Sequence, residues 1–280
     1  MTDYFEVHER DGAARLAELR LAESVTTPAL VTDTDVPRSA DAAGDGDGDD
    51  APRPEADVAH PILHDAGGEW ARERDDPAGD ESRLTVLPHR GLPAGTPEEV
   101  EEAFATDYPD TEFPSAAVVS RTSVADHGTD AYVLSGTPGI VGHARKFVET
   151  VVDVRETIPA DTALYLPGVA TPANVATLVY AGVDLVDADR AVIRGTQGRY
   201  LTTEGHHFLE DLDELPCACP ACRTPRDEFD RRDCAQHNVN ALAAALATVR
   251  RRIRDGRLRD YIEGQARHEQ WLTATFRRLD

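Results

Sequence analysis

The residues best suited to chemistry are cysteines clustered late in the chain. All four cysteines lie between positions 217 and 234, and three of them form a C-x-C-x2-C pattern. Three thiolates this close together suit tetrahedral zinc, at Zn–S distances of about 2.3 Å, and leave one ligand to be supplied from elsewhere. The spacing therefore predicts a Zn²⁺ site built on Cys217, Cys219 and Cys222.

The fourth ligand is predicted to come from the helix that follows. His237 lies 14 intervening residues after Cys222, and Cys234 lies three residues before it on the same helical face. We predict His237 as the fourth ligand, with Cys234 as the alternative. A disulfide or inert buried thiols are competing interpretations, which a reducing compartment and the close spacing disfavour. Four protein ligands leave no open position for water, so the site is predicted to be structural.

The elements that position this cluster begin at Leu84, where short apolar runs alternate with amphipathic ones. Strands buried on both faces and followed by helices favour a parallel sheet. The sequence predicts an α/β fold, a (β/α)8 TIM-barrel-like domain with a zinc-binding helical appendage. Fewer than eight units are visible, so an incomplete barrel is equally compatible. The predicted strands are 84–88, 116–120, 131–135, 163–167 and 183–187, and the predicted helices are 97–106, 143–157 and 172–181.

Four regions follow from these patterns. Residues 1–31 are predicted to form an N-terminal strand pair, and 84–210 the barrel-like core. Residues 211–280 would hold the zinc segment and two helices, predicted at 233–254 and 258–277. The segment 32–83 is predicted to be a disordered acidic insertion, because 16 acidic residues and only 4 arginines fall within 32–82. No stop signal closes the last predicted helix, which suggests a longer architecture or a docking end.

Charge alone does not exclude nucleic acid as a partner. The net charge is −23, with a single lysine, a composition typical of proteins from molar-salt cytoplasm. At that salt the Debye length is about 3 Å, so local clusters matter more than the total. Nine arginines and four acids lie in 250–278. This predicts either a phosphate-facing surface or an ordinary solvated helix, and the candidate nucleic-acid-binding residues are Arg250, Arg251, Arg252 and Arg254.

The cellular compartment is predicted from the lack of membrane-spanning and signal-peptide patterns in the sequence. No apolar run approaches the roughly 20 residues of a membrane span, and the first residues resemble no signal peptide. A cytoplasmic location without a membrane partner is therefore expected.

Several blocks of sequence carry a resemblance to a known family. The C-x-C-x2-C…H-N pattern follows AGVDLVD (181–187) and GRYLTT (198–203), and the first residues contain FEVHERDGAARLAELRL and VTTPAL. In content and order these blocks resemble the tRNA-guanine transglycosylases, zinc-containing (β/α)8 barrels that exchange a guanine in tRNA for a 7-deazaguanine. The resemblance covers residues 1–31 and about 84–240.

The resemblance also implies a candidate catalytic residue. Asp187 occupies the position of the family's aspartate that attacks the ribose C1′ as the base departs; the alternative is one more aspartate in an acidic chain. The family's Asp-Ser-Gly-Gly-aromatic-Gln block, which supplies a second carboxylate, has no match. The most similar segment, LSGTPG at 134–139, contains no acidic residue. Ordinary guanine exchange is therefore not expected.

A narrower resemblance is carried by YAGVDLVDADRAV (180–192) and DYIEGQARHEQWL (260–272). Both stretches are similar to the N-terminal transglycosylase-like domain of haloarchaeal archaeosine synthase alpha subunits. This implies a tRNA-docking part of an archaeosine-forming protein, with tRNA and a catalytic partner chain carrying the archaeosine synthase core as partners. The alternatives are an active tRNA-guanine ribosyltransferase using Asp187, a zinc-stabilised module that forms a homodimer, and the remnant of a disrupted gene.

Overall fold

The N-terminal residues form a small antiparallel sheet. The computed structural model describes residues 4–33, 59–66, 79–89, 108 and 111–280. Strands β1 (Phe5–Asp11) and β2 (Ala14–Leu19) pair antiparallel, and β3 (Val25–Thr27) adds to the free edge of β2. The predicted strand pair is thus present and carries a third strand.

Seven parallel strands close into a barrel within the described residues. Each pairs with the next in chain order, and the last pairs with the first to complete the ring. The predicted barrel-like α/β class is confirmed, with seven described strands instead of eight. The strands are β4 (Ala29–Asp33), β5 (His60–Asp65), β6 (Leu84–Val86), β7 (Ser115–Val119), β8 (Ala131–Leu134), β9 (Ala163–Leu166) and β10 (Leu185–Val186).

Strand β5 lies inside the segment predicted to be a disordered acidic insertion. Residue 60 pairs with Val31 of β4, and Leu63 pairs with Leu84 of β6. The description of 32–83 as one disordered segment is therefore wrong for 60–65, where Ile62 and Leu63 are buried and complete the ring. Residues 34–58 and 67–78, and the predicted helix at 97–106, lie outside the described residues.

Alternate residues of the barrel strands face opposite sides. In β8, Ala131 and Val133 pack inside the barrel with the N-terminal sheet, whereas Tyr132 and Leu134 pack outside against the helices. Strands β4, β7, β9 and β10 follow the same alternation, as the period of two in a strand requires. The sequence reads as continuous apolar runs because both faces of each strand are buried.

The helices cover the barrel and extend past it. Helix α1 spans Ala144–Thr157, α2 Val175–Tyr180, α3 Asp189–Thr196, α4 Arg231–Arg254, α5 Leu258–Gln265 and α6 Gln270–Leu279; β11 (Arg199–Thr202) and β12 (Gly205–Phe208) form a hairpin between α3 and α4. The helix predicted over 258–277 is two helices, because a 3-10 turn at Ala266–His268 interrupts it. In the described part of the chain, no helix combines the length and apolar character needed to cross a bilayer.

Candidate metal centre and barrel mouth

The predicted metal ligands meet between the β11–β12 hairpin and the start of α4. Asp230 caps α4 by accepting hydrogen bonds from the backbone of Arg232 and Asp233, and the Asp233 side chain accepts from the Asp230 backbone. This capping box fixes where the helix begins. His237 on the second turn consequently faces the cysteine loop instead of solvent.

The four predicted ligand atoms form one compact group. The Sγ atoms of Cys217, Cys219 and Cys222 and a ring nitrogen of His237 all lie within 4.8 Å of one another. Nδ1 of His237 is 3.5 Å from the Cys219 Sγ and 3.3 Å from the Cys222 Sγ. An S···N edge of roughly 3.6 Å is expected for tetrahedral metal with Zn–S near 2.3 Å and Zn–N near 2.0 Å. The group fits a tetrahedral metal ion.

The surroundings of His237 leave the correct ring nitrogen free to bind metal. Its Nε2 lies 2.9 Å from the carbonyl oxygen of Leu201, to which the Nε2–H donates. Nδ1 is then the unprotonated nitrogen that points at the thiols. The Tyr200 ring stacks on the imidazole at 3.7 Å, and the tyrosine hydroxyl lies 3.3 Å from the Cys222 Sγ. These contacts hold the ligand ring before a metal binds.

Helices α3 and α4 approach closely beneath the centre. A Cβ at Gly195 would lie 2.2 Å from the Cα of Ala235, so only glycine permits this approach. Asn238 spans the joint: its amide donates to the carbonyls of Ala191 and Arg199, and its oxygen accepts from the Leu201 backbone. Asn238 is the second residue of the H-N pair in the sequence pattern, but no role was predicted for it.

Cys234 takes no part in the ligand group. It is fully buried beside Tyr200 and Phe229, and burial raises the pKa of its thiol to about 12. We expect Cys234→Ala to leave the metal content of the protein unchanged and to cost about 1–2 kcal/mol of stability through lost packing. Metal analysis together with thermal melting checks this. A fall in metal content would make Cys234 a ligand.

Asp187 follows β10 at the carboxyl end of the barrel, where TIM-barrel sites lie. Its Oδ2 accepts hydrogen bonds from the Tyr165 hydroxyl at 2.8 Å and the Gly168 backbone at 2.6 Å. Its Oδ1 accepts from the Asp189 backbone at 3.0 Å. Only 5% of Asp187 is exposed. Burial, reinforced by the negative charge of Asp189, raises the pKa of the Asp187 carboxyl to about 6.

This raised pKa predicts a pH-dependent stability. Between pH 3.8 and about 6 the folded protein holds a proton that the unfolded chain releases, so stability falls as pH rises through that window. The loss in the free energy of unfolding is on the order of 3 kcal/mol and is complete above the pKa that Asp187 has in the folded protein. Relative to the wild type, Asp187→Asn should gain stability across the window. Urea unfolding at a series of pH values measures this, and a pH-independent difference would contradict the buried carboxyl.

A second acid shares the barrel mouth with Asp187. Asp33 ends β4 and has the inward parity of Ala29 and Val31. Burial raises the pKa of the Tyr165 hydroxyl well above its usual value, and the charges of Asp187, Asp189 and Asp33 raise it further. The charges of these acids therefore act on one tyrosine, which donates a hydrogen bond to Asp187. Sequence patterns missed Asp33 because it stands among many acidic residues.

Asp184, at the opposite end of β10, lies among groups that hold the fold together. Its carboxylate forms a buried bidentate ion pair with Arg15 of β2 and accepts from the Leu164 backbone at 2.8 Å. Arg15 also donates to the carbonyls of Ala160 and Thr162. The pair joins the N-terminal sheet to the amino end of the barrel.

The predicted arginine cluster on α4 divides into two environments. Arg250 donates to the carbonyl oxygen of Pro28 at 2.8 Å, and the Arg252 guanidinium lies 5.5 Å over the Tyr261 ring. Both side chains are partly buried and hold neighbouring elements together, whereas Arg251 and Arg254 are exposed. The structure does not bring the four arginines together as one free surface.

Comparison with known proteins assigns the chain to a family. The family model for queuine tRNA-ribosyltransferase matches residues 117–270, which is more than half of the chain. The matched span includes the barrel strands from β8 onward, Asp187 and the whole Cys3His group. The chain belongs to this family, the tRNA-guanine transglycosylases.

Individual relatives are similar over different extents. An archaeosine synthase of Haloferax volcanii is 59% identical over 280 residues, 100% of this chain and 43% of that protein. An archaeosine synthase subunit alpha of Methanosarcina acetivorans is 36% identical, covering 99% of this chain and 45% of the relative. A tRNA-guanine(15) transglycosylase of Haloferax volcanii is 34% identical over 47% of this chain and 27% of its own length. The chain spans less than half the length of these relatives.

Proposed function

We propose that the chain is the transglycosylase-like part of an archaeosine-forming protein and that it docks tRNA for modification. The observation that carries this proposal is the extent of similarity. The relatives named archaeosine synthase align with essentially the whole chain, whereas the tRNA-guanine(15) transglycosylase of Haloferax volcanii aligns with less than half. Within the cell, the site of action would be the cytoplasm, with tRNA and a chain or domain carrying the synthase core as partners.

The surroundings of Asp187 support docking over base exchange. A nucleophilic carboxylate needs a free lone pair directed at the sugar carbon. Three of the roughly four acceptor positions on Asp187 are filled by Tyr165, Gly168 and Asp189. The hydrogen bond from Gly168 ties the loop after β9 to the end of β10. This arrangement suits a residue that shapes the barrel mouth.

The metal in this proposal is zinc in a structural role. Three thiolates and one imidazole are a ligand set typical of structural zinc, and four protein ligands complete the tetrahedron. The bound ion would join the cysteine loop to α4, and Tyr200 and Leu201 would orient His237 for it. The centre thereby stabilises the hairpin and helices beside the barrel and takes no part in chemistry.

A second candidate function is favoured by one observation: Asp33 ends β4 at the same end of the barrel as Asp187, and its charge acts on the Tyr165 hydroxyl. Guanine exchange requires a nucleophile and a second carboxylate for proton transfer. Asp187 and Asp33 would fill these roles in an active ribosyltransferase. Self-association as a homodimer stays a prediction; among the described residues the exposed large hydrophobic side chains are Ile193 and Phe208.

An exchange assay separates the two functions. The zinc-loaded protein is incubated with archaeal tRNA and labelled guanine in molar KCl. Docking predicts no incorporation above background, and unchanged tRNA affinity for Asp187→Asn and Asp33→Asn. Incorporation abolished by either substitution would establish the ribosyltransferase and overturn the docking proposal. An authentic tRNA-guanine transglycosylase serves as the positive control for substrate quality.

A further inference from the structure

A compact cationic and aromatic surface lies beside the barrel mouth, formed by α3 and the β11–β12 hairpin. We call it the hairpin surface, and it consists of Arg190, Arg194, Arg199, His206 and Phe208. Arg190 and Arg194 are one turn apart on α3, and Arg199 is paired with Phe208 across the hairpin. Phe208 is 46% exposed, an unusual state for a phenylalanine in the described part of this chain.

The cations of this surface have no acidic partner within the part of the chain that the structure describes. Arg15, Arg121 and Arg259 each contact a carboxylate within 4.0 Å there. None of the ion pairs found among these residues includes Arg190, Arg194 or Arg199. The Arg199 guanidinium instead donates to the His206 ring at 2.7 Å. Three guanidinium groups without a carboxylate partner among the described residues, in a chain of net charge −23, indicate a surface that lacks its anion.

The electrostatics of the surface agree with this. Partial burial, and then the positive charges of Arg190 and Arg199, lower the pKa of Arg194. Partial burial and the charges of Arg199 and Arg194 lower the pKa of His206, and Glu269 opposes this effect only in part. Like charges at this spacing repel one another. A polyanion laid across them would replace that repulsion with attraction.

Phe208 adds a feature that a simple anion site does not need. The Arg199 guanidinium lies 5.0 Å over one face of the ring, and His206 meets the ring edge-on at 5.9 Å. The ring is thereby held in place, as a base-stacking platform requires. The hairpin is fixed below by a hydrogen bond from the Leu209 backbone to the Gly198 carbonyl at 2.8 Å.

The geometry points to an RNA-binding surface, and we propose that the three arginines bind successive backbone phosphates while Phe208 stacks on an unpaired base. Phosphate contacts by planar guanidinium groups and stacking on aromatic rings are the two contacts that RNA offers and an acidic peptide does not offer together. Helix α3 begins two residues after Asp187, so RNA bound here passes the barrel mouth. The inference rests on the proposed docking function and names the residues that perform it.

The first test compares matched charge-removing variants. The triple variant Arg190→Gln, Arg194→Gln, Arg199→Gln removes the cations of the surface. The control triple variant changes three exposed arginines late in the chain to glutamine: Arg267 in the 3-10 turn before α6, and Arg277 and Arg278 on α6. Binding of labelled tRNA in molar KCl is measured by filter retention, after melting and zinc content confirm each fold. We expect about a tenfold or greater loss of affinity for the first variant and less than twofold for the control.

A second measurement examines stacking with the cations retained. Phe208→Ala should weaken tRNA binding about fivefold or more, and in Phe208→Trp the fluorescence should be quenched when single-stranded RNA is added. If the wild type binds tRNA and both sets of substitutions leave the affinity for tRNA unchanged, the proposal that the hairpin surface binds RNA is wrong. The proposal that the chain docks tRNA is then unaffected. If the wild type fails to bind tRNA, the docking proposal and the proposal for the hairpin surface are both wrong. Equal binding of poly-glutamate, unaffected by Phe208→Ala, would assign the surface to an acidic protein and overturn the RNA proposal.

Discussion

Replacing Cys219 with serine is expected to reduce bound zinc from one ion per chain to nearly none and to destabilise the protein by on the order of 5 kcal/mol. The Cys219 Sγ lies 3.5 Å from the His237 Nδ1 and belongs to the group whose ligand atoms all lie within 4.8 Å. Without metal, the thiols face one another and His237 with nothing to bind them. The segment between β12 and α4 would lose its main connection to the helix.

The result is read by metal analysis and thermal melting in high salt. Cys234→Ala is the matched control, because it removes a buried thiol from the same region without touching the ligand group. A chelator should reproduce the effect of Cys219→Ser on the wild-type protein. Purified protein free of zinc, with the same melting temperature as protein refolded with zinc, would contradict the metal centre.

Replacing Arg15 with methionine is expected to cost about 3–5 kcal/mol, because it leaves the Asp184 carboxylate buried without its partner. Arg15 is 2% exposed and Asp184 is 1% exposed. Arg155 approaches the Asp184 carboxylate only at 3.7 Å and compensates little. The loss should appear in the free energy of unfolding measured in urea.

A double substitution tests the physical reason for this loss. Arg15→Met combined with Asp184→Leu removes both charges, and an apolar pair of similar volume should recover most of the stability. The Leu164 backbone N–H would lose an acceptor, so recovery should be incomplete. If Arg15→Met alone is as stable as the wild type, then the ion pair does not join the N-terminal sheet to the barrel.

The sequence predicted those features that depend on neighbours along the chain. The predicted metal ligands could be found because C-x-C-x2-C is a local pattern and His237 follows on the next helix. Strand β5 was not accessible in this way. Its six residues, HPILHD, lie within an acidic stretch of the sequence. Only their pairing with strands β4 and β6, through residues such as Val31 and Leu84, makes them a barrel strand. Contacts between distant segments carry no local signal.

Side-chain partners were the least predictable feature. Arg250 and Arg252 belong to a run of arginines, and nothing in the run shows that Arg250 donates to the Pro28 carbonyl. The hairpin surface was missed for the complementary reason. Arg199 and Phe208 are nine positions apart, and their stacking depends on the register of a hairpin that places them opposite each other.

An equilibrium titration of the zinc-loaded chain with archaeal tRNA in molar KCl tests tRNA docking itself. We expect saturable binding at one tRNA per chain, weakened about tenfold or more when Arg190, Arg194 and Arg199 are replaced by glutamine. Short-range contacts by guanidinium groups survive the screening at this salt, where the Debye length is about 3 Å. Absence of saturable binding by a folded, zinc-loaded protein would show that this domain does not dock tRNA.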